Sequence, residues 1–298
     1  MLQATGASTE CPYRVTRAYS PREARAYCRR LAVSHYENFV VAGLLCPRPL
    51  RRHAYNVYAY CRIADDLGDE TGDPARAIEL LDWWESELDA MLAGKPRHPV
   101  FVALSETADR FRIPDEPFRR LLDAFRQDQT VTRYATFEEL LHYCERSANP
   151  VGHLVLALGG YRDEERKALS DDTCTALQLA NFWQDVSRDW DKGRIYIPRE
   201  DMERFGVSEE QIAARRFTPP FGELMRFEVE RTRKLFESGR PLAKLLDRSL
   251  RLNVEMFTEG GLEVLRRIES QGYDVLTSRP SIPKRRQAAL LIRRLLRH

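Results

Sequence analysis

The chain has 298 residues, of which 43% are hydrophobic and 31% charged, an ordinary globular composition with enough apolar material for a sizeable core. Its 47 Lys and Arg nearly balance 45 Asp and Glu, and a net charge of +2 argues against a polyanionic partner such as nucleic acid. Six cysteines are scattered without a C-x-x-C pair, which argues against a disulfide framework and against a zinc site.

Met1 to Glu10 lack a basic start and an apolar stretch, so no secretory signal is read there. No segment approaches the ~20 apolar residues needed to span a bilayer. The expected location is the cytoplasm, at most on a membrane surface. Residues 1–17 are expected to form a flexible tail, and 18–298 a single α-helical domain.

Strand signals are nearly absent, because Val and Ile fall in helical spacing rather than in alternation. Helices are predicted near 21–34, 36–45, 48–70, 74–93, 98–111, 115–127, 136–147, 150–160 and 164–191. Further helices are predicted near 199–204, 208–214, 219–238, 240–247, 249–270 and 284–297. Pro21, Pro74 and Pro117 suit first-turn positions, and Gly94, Gly239 and Gly272 suit helix ends. The expected class is all-α.

The predicted helix 48–70 carries the most informative segment. At 100° per residue, Tyr55, Tyr58, Arg62, Asp65 and Asp69 share one stripe, with the Asp65 and Asp69 carboxylates one turn apart. Like charges at this spacing weaken a helix by ~0.2–0.5 kcal/mol per pair, and Gly68 adds ~1 kcal/mol relative to Ala. A divalent cation would remove the repulsion; a solvated acidic helix end is the plainer alternative. A second stripe shifts the balance. Gln178, Asn181, Asp185 and Asp189 fall on one arc of the helix 164–191, opposite Leu179, Ala180, Trp183, Val186 and Trp190. Short Asn and Asp side chains lose little rotamer freedom on being fixed, which suits ligation. Two D-x-x-x-D helices facing each other could hold Mg²⁺ by oxygen, with water and phosphate oxygens completing its shell.

These motifs resemble the squalene and phytoene synthase family. The resemblance runs from about Tyr19 to Arg279. It rests on His35-Tyr-Glu-Asn-Phe39, Tyr58-x-x-x-Arg62-x-x-Asp65-x-x-x-Asp69 and Tyr143 followed by Val151-Gly152. It also rests on Gln178-x-x-Asn181-x-x-x-Asp185-x-x-x-Asp189 and Gly193-Arg194-Ile-Tyr196-Ile-Pro198. The resemblance implies a single-domain isoprenoid-synthase-type helical bundle around a central apolar channel. It also implies Mg²⁺ held by Asp65, Asp69, Asp185 and Asp189 against a prenyl diphosphate. By position, His35, Tyr58, Arg62, Gln178 and Asn181 would line the diphosphate end, and Tyr143 the channel.

Two departures narrow the reading. Glu37 stands where the family commonly has Lys, and Gln184 stands where it usually has Arg. Fewer cations fit a substrate carrying one diphosphate better than a pair of such groups. The patterns His-Tyr-Glu-Asn-Phe, Asn-Phe-Trp-Gln-Asp and Gly-Tyr-Asp-Val-Leu are similar to the hydroxysqualene synthases of bacterial hopanoid pathways. This similarity implies conversion of presqualene diphosphate and water to hydroxysqualene. The alternatives are head-to-head condensation of two prenyl diphosphates to presqualene diphosphate, squalene or phytoene, and an inert helical scaffold of the same shape. A class I terpene cyclase fits less well, because it pairs one acidic motif with an Asn/Ser/Glu triad.

Glu139-Leu-Leu-His142 looks like half of a di-iron helix, but no second Glu-x-x-His exists, and a surface pair is the better reading. Trp83, Trp84 and Phe236 are expected in the core. Over 285–297, Ala288, Leu291, Ile292, Leu295 and Leu296 share one arc, with Arg286, Arg293, Arg294 and Arg297 mostly on another. That pattern suits peripheral contact with anionic lipid, and equally a terminal helix docked on the core.

Overall fold

The computed structural model describes residues 11–15, 17–34 and 48–281. His35, Glu37 and the helices expected near 36–45 and 284–297 lie outside the described residues. Those described form two compact units, the first ending at Gln129 and the second beginning at Thr130. Among them no strand occurs, so the all-α expectation holds.

The first unit contains α1 (Pro21–Ser34), α2 (Arg48–Asp69), α3 (Pro74–Leu92), α4 (Pro99–Phe111) and α5 (Glu116–Gln127). Local chemistry sets several of these ends. Asp73 accepts from the backbone N–H groups of Ala75 and Arg76 and so caps α3, whose first residue is Pro74. His98 caps α4 by accepting from the Val100 N–H. Helix α2 packs against all four others, which explains why apolar residues occur around most of its circumference. Tyr60 is fully buried on it. Its ring meets Phe118 at 4.8 Å, Phe101 at 5.8 Å and Trp84 at 5.9 Å, and its hydroxyl donates to the Phe118 carbonyl at 3.0 Å. Burial of each such ring contributes about 1.5–3 kcal/mol. Trp84 is thus core, as expected. Trp83 is not: it is only partly buried, with the Arg14 guanidinium 5.5 Å from its ring.

The second unit contains α6 (Phe137–Ser147), α7 (Asn149–Leu158), α8 (Glu164–Asp191), α9 (Arg199–Phe205) and α10 (Glu209–Ala213). It continues with α11 (Pro219–Gly239), a 3-10 segment over Arg240–Leu245 where an α-helix was expected, and α12 (Arg248–Ser270). This segment follows α11 directly, with Pro241 in its first turn. Helix α8 is the hub here, packing against α6, α7, α10, α11, the 3-10 segment and α12. Trp183 on α8 is fully buried and donates through Nε1 to Thr232 Oγ1 at 2.7 Å. Phe236 is core, as expected. Each D-x-x-x-D motif therefore rides on the helix around which its own unit is built.

Candidate active site

In the first unit the last two turns of α2 carry the acidic ridge. Asp69 is exposed, the Asp65 side chain is 47% exposed and Tyr58 is partly buried. Asp66, which the stripe argument set aside, is buried. One of its carboxylate oxygens is paired with Arg62, and the other accepts from the Tyr13 hydroxyl. Arg62 also reaches Asp65 Oδ2 at 3.3 Å and Glu70 Oε1 at 3.4 Å. Burial works against its charge, but Asp66 and Asp65 outweigh that effect and raise its pKa. Gln129 Nε2 donates to the carbonyls of Gly68 (3.0 Å) and Phe125 (2.9 Å), tying the end of α2 to α5.

In the second unit the ridge lies on the last three turns of α8. Asn181 is exposed, Gln178 and Asp189 are half-buried, and the Asp185 side chain is 23% exposed. The guanidinium of Arg279 lies across Asp185, with Nε 2.5 Å from Oδ1 and Nη2 2.9 Å from Oδ2. The same Nη2 reaches Gln184 Oε1 at 3.2 Å, while Gln184 Nε2 donates to the Pro280 carbonyl at 2.6 Å. The hydrogen bonds to Asp185 raise the Arg279 pKa. Gln184, read from sequence as a lost cation, thus holds a segment that delivers one. Arg279 thereby restores a positive charge beside Asp185 that Gln184 does not carry.

Behind this ridge Tyr143 is buried in an aromatic stack. Phe182 and Tyr196 lie nearly parallel with centroids 3.8 Å apart, Tyr134 meets Tyr143 at 5.5 Å, and Tyr143 meets Tyr196 at 5.9 Å. A cavity of about 360 Å³ is lined by Ile195, Ile197, Met202 and Val207 together with charged Arg133, Arg199 and Glu209, and none of the predicted site residues lines it. His142 is exposed and pairs with Glu145, while Glu139 accepts from the Ala135 N–H, so this pair is a helix cap and surface contact.

Among the described residues, no three His, Cys, Asp or Glu side chains gather as a metal cage. The acids come instead as pairs one helical turn apart, with oxygen donors only. Such pairs suit Mg²⁺, which keeps water and takes phosphate oxygens, and suit zinc poorly.

Sequence reasoning missed Tyr13, Asp66 and Arg279. The first and last act across long chain separations that no local pattern reports. Asp66 could have been found, since at 100° per residue it points off the stripe toward the apolar side of α2.

The squalene/phytoene synthase family profile matches residues 32–286. The 15-cis-phytoene synthase of Synechocystis sp. is 34% identical over 279 residues, covering 89% of this chain and 82% of that protein. The crystal structure of squalene synthase HpnC from Alicyclobacillus acidocaldarius superposes with a TM-score of 0.81 at 47% identity, covering 85% of this chain and 95% of that one. A dehydrosqualene synthase crystallised with ligand gives a TM-score of 0.84 at 27% identity, over 93% of this chain and 97% of that one. With its all-helical isoprenoid-synthase fold, the chain belongs to the squalene/phytoene synthase family of prenyltransferase-type enzymes.

Proposed function

We infer that the protein ionises presqualene diphosphate and converts it with water to hydroxysqualene, releasing diphosphate. The observation that carries the chemistry is a repeated arrangement. In each unit the hub helix ends in carboxylates one turn apart, with a guanidinium against the first of them: Arg62 beside Asp65, and Arg279 on Asp185. Carboxylates bind divalent cations and guanidinium groups bind phosphate. The substrate assignment draws its support from the 47% identity to a squalene synthase and from the sequence patterns noted above.

In this reading Asp65, Asp69, Asp185 and Asp189 hold Mg²⁺, which would supply Lewis-acid stabilisation of the leaving diphosphate. His35, Tyr58, Arg62, Gln178 and Asn181 orient the diphosphate, and Tyr143 borders the apolar part of the substrate. The C–O bond of the ester breaks, and its electron pair leaves with the diphosphate. The resulting carbocation rearranges where aromatic faces stabilise it, each by ~0.5–2 kcal/mol. A water oxygen then adds to carbon and loses a proton. In this reading residues 18–298 act as a single catalytic domain.

A second reading, head-to-head condensation of two prenyl diphosphates, has its own support. The 34% identity to a phytoene synthase favours it, and Arg279 restores a cation that a second diphosphate would need. Purified protein incubated with Mg²⁺ and presqualene diphosphate should yield hydroxysqualene by mass spectrometry. Products formed only from farnesyl or geranylgeranyl diphosphate, with or without NADPH, would favour the second reading. Absence of any product would refute both.

No helix among the described residues is long and apolar enough to cross a membrane. Peripheral contact through the basic amphipathic segment 285–297 belongs to the proposal, as does contact with other enzymes of the pathway. Liposome flotation of the full chain against residues 1–283 tests the membrane contact.

A further inference from the structure

The chain ahead of α1 is tied to the acidic end of α2 by Tyr13. Residues 11–15 are anchored at several points. Cys11 is buried, Arg14 covers Trp83, and the Tyr13 carbonyl lies 3.0 Å from His98 Nε2. His98 is buried among aromatic edges, with Trp84 at 4.8 Å and Tyr27 at 5.9 Å. Burial lowers its pKa to about 4, so the ring is neutral. Its Nδ1 accepts from the Val100 N–H, which leaves the ring proton on Nε2, the atom facing Tyr13. The backbone at Tyr13 is therefore held by a donor in a fixed tautomer.

From that anchor the Tyr13 hydroxyl reaches Asp66. A buried carboxylate needs partners for both oxygens, and Asp66 has one on each: the phenol and the Arg62 guanidinium. Three acids compete for Arg62, since Asp65 and Glu70 also lie within 3.4 Å of it. The phenol decides that contest by fixing where Asp66 points. Released, Asp66 would loosen, and the guanidinium would redistribute among Asp66, Asp65 and Glu70.

We propose that Tyr13 is a positioning residue of the first carboxylate ridge, acting through Asp66 to fix how the Arg62 guanidinium is shared between Asp66 and Asp65. The proposal rests on the assignment of Asp65 and Arg62 to a Mg²⁺-bound diphosphate. It gives the segment ahead of the first helix a part in substrate binding. A segment that served stability alone would need no hydrogen bond to a buried carboxylate, because an apolar contact would hold it as well.

The test is Tyr13→Phe, which removes one oxygen, beside Arg14→Ala, which frees the segment from Trp83 and leaves the hydroxyl in place. Turnover is followed against Mg²⁺ and against substrate. The thermal shift produced by Mg²⁺ with inorganic pyrophosphate is measured in parallel. For Tyr13→Phe the Mg²⁺ activation constant and substrate KM should rise on the order of tenfold, as for other outer partners of metal ligands, with kcat changed much less. Arg14→Ala should leave both constants unchanged. Adding Arg62→Lys should cost less in the Tyr13→Phe background than in the wild type, because both changes act on one guanidinium. If Tyr13→Phe loses its helical CD spectrum, Asp66→Asn replaces it and should raise the same two constants. Constants equal to wild type in a folded variant, with only the melting temperature lowered, would overturn the proposal. A wild-type protein with neither turnover nor a pyrophosphate-dependent shift would overturn the site assignment itself, and this proposal with it.

Discussion

Arg279 closes over Asp185 through two parallel hydrogen bonds, placing a guanidinium on the carboxylate that begins the second D-x-x-x-D motif. If Mg²⁺ binds Asp185, it must share or displace that guanidinium. Removing the arginine should then have opposite effects without and with metal. In EDTA, Arg279→Met should lower stability by about 1 kcal/mol, since the pair is only partly buried and screened by solvent. With Mg²⁺ alone, the variant should gain more in melting temperature than wild type does, because the metal no longer has to displace a guanidinium from Asp185 and a ligand that binds only the folded state stabilises it. Equal gains in both proteins would show that metal and Arg279 do not meet at Asp185.

Asp65→Asn and Asp185→Asn each keep size and a polar head but remove a charge from the ridge. Neither residue is a core element: the Asp65 side chain is about half exposed, and Asp185 is held by Arg279 rather than by helix packing. Turnover should therefore fall at least about a hundredfold, as when a preorganised electrostatic contact is lost at a reacting group. The far-UV CD spectrum should stay helical. Near-normal turnover in either variant would refute the assignment of that carboxylate to the metal.

The helices were legible because their ends are written locally. The spacing predicts 21–34 and 164–191, and α1 and α8 have those bounds; Pro21 opens the one, and Asp163 caps the other through the Arg166 N–H. The two acidic ridges were legible for the same reason, since side chains four apart share a face whatever the helix packs against. Contacts across the chain were not legible. Nothing near Asp66 in sequence announces Tyr13, and nothing near Asp185 announces Arg279. Trp83 and Trp84 are adjacent and chemically identical, yet only the second is fully buried, because one residue of helix turns the ring from Phe101 toward Arg14.

Gly239 was expected to end a helix, and it does so, but through close approach rather than a left-handed turn. Its φ is −73°, and a Cβ there would lie 2.9 Å from the Leu169 carbonyl oxygen and 3.0 Å from the Thr173 nitrogen of α8. Backbone atoms of the hub helix cannot move aside cheaply. Gly239→Ala should destabilise the protein by about 1–3 kcal/mol. Gly260, inside α12, has nothing within 4 Å of its would-be Cβ. Gly260→Ala should instead stabilise by about 0.5–1 kcal/mol through helix propensity. Urea or thermal unfolding of the two variants should show shifts of opposite sign. A stable Gly239→Ala protein would mean that α11 and α8 are not packed this closely.

Glu228 on α11 gives the fold a dependence on pH that is separate from its chemistry. Its carboxylate is fully buried, and burial pushes its pKa up to about 8. It shares one guanidinium with a second buried acid: Arg231 Nη2 lies 2.8 Å from Glu228 Oε1 and 2.6 Å from Asp201 Oδ2 on α9. One cation cannot balance two desolvated carboxylates, so the folded protein keeps a proton that the unfolded chain gives up near the ordinary 4.5. Between those two values the folded state binds more protons. The stabilising contribution is therefore complete below about 4.5, declines as pH rises, and is lost as pH passes about 8. The slope in this window is at most ~1.4 kcal/mol per pH unit. Glu228→Gln removes the titration while keeping a neutral group of the same shape beside Arg231. Its stability relative to wild type should grow steadily across the window, read from urea unfolding at a series of pH values. Parallel curves for the two proteins would show that Glu228 is ionised throughout, and that Arg231 and its surroundings balance both acids after all.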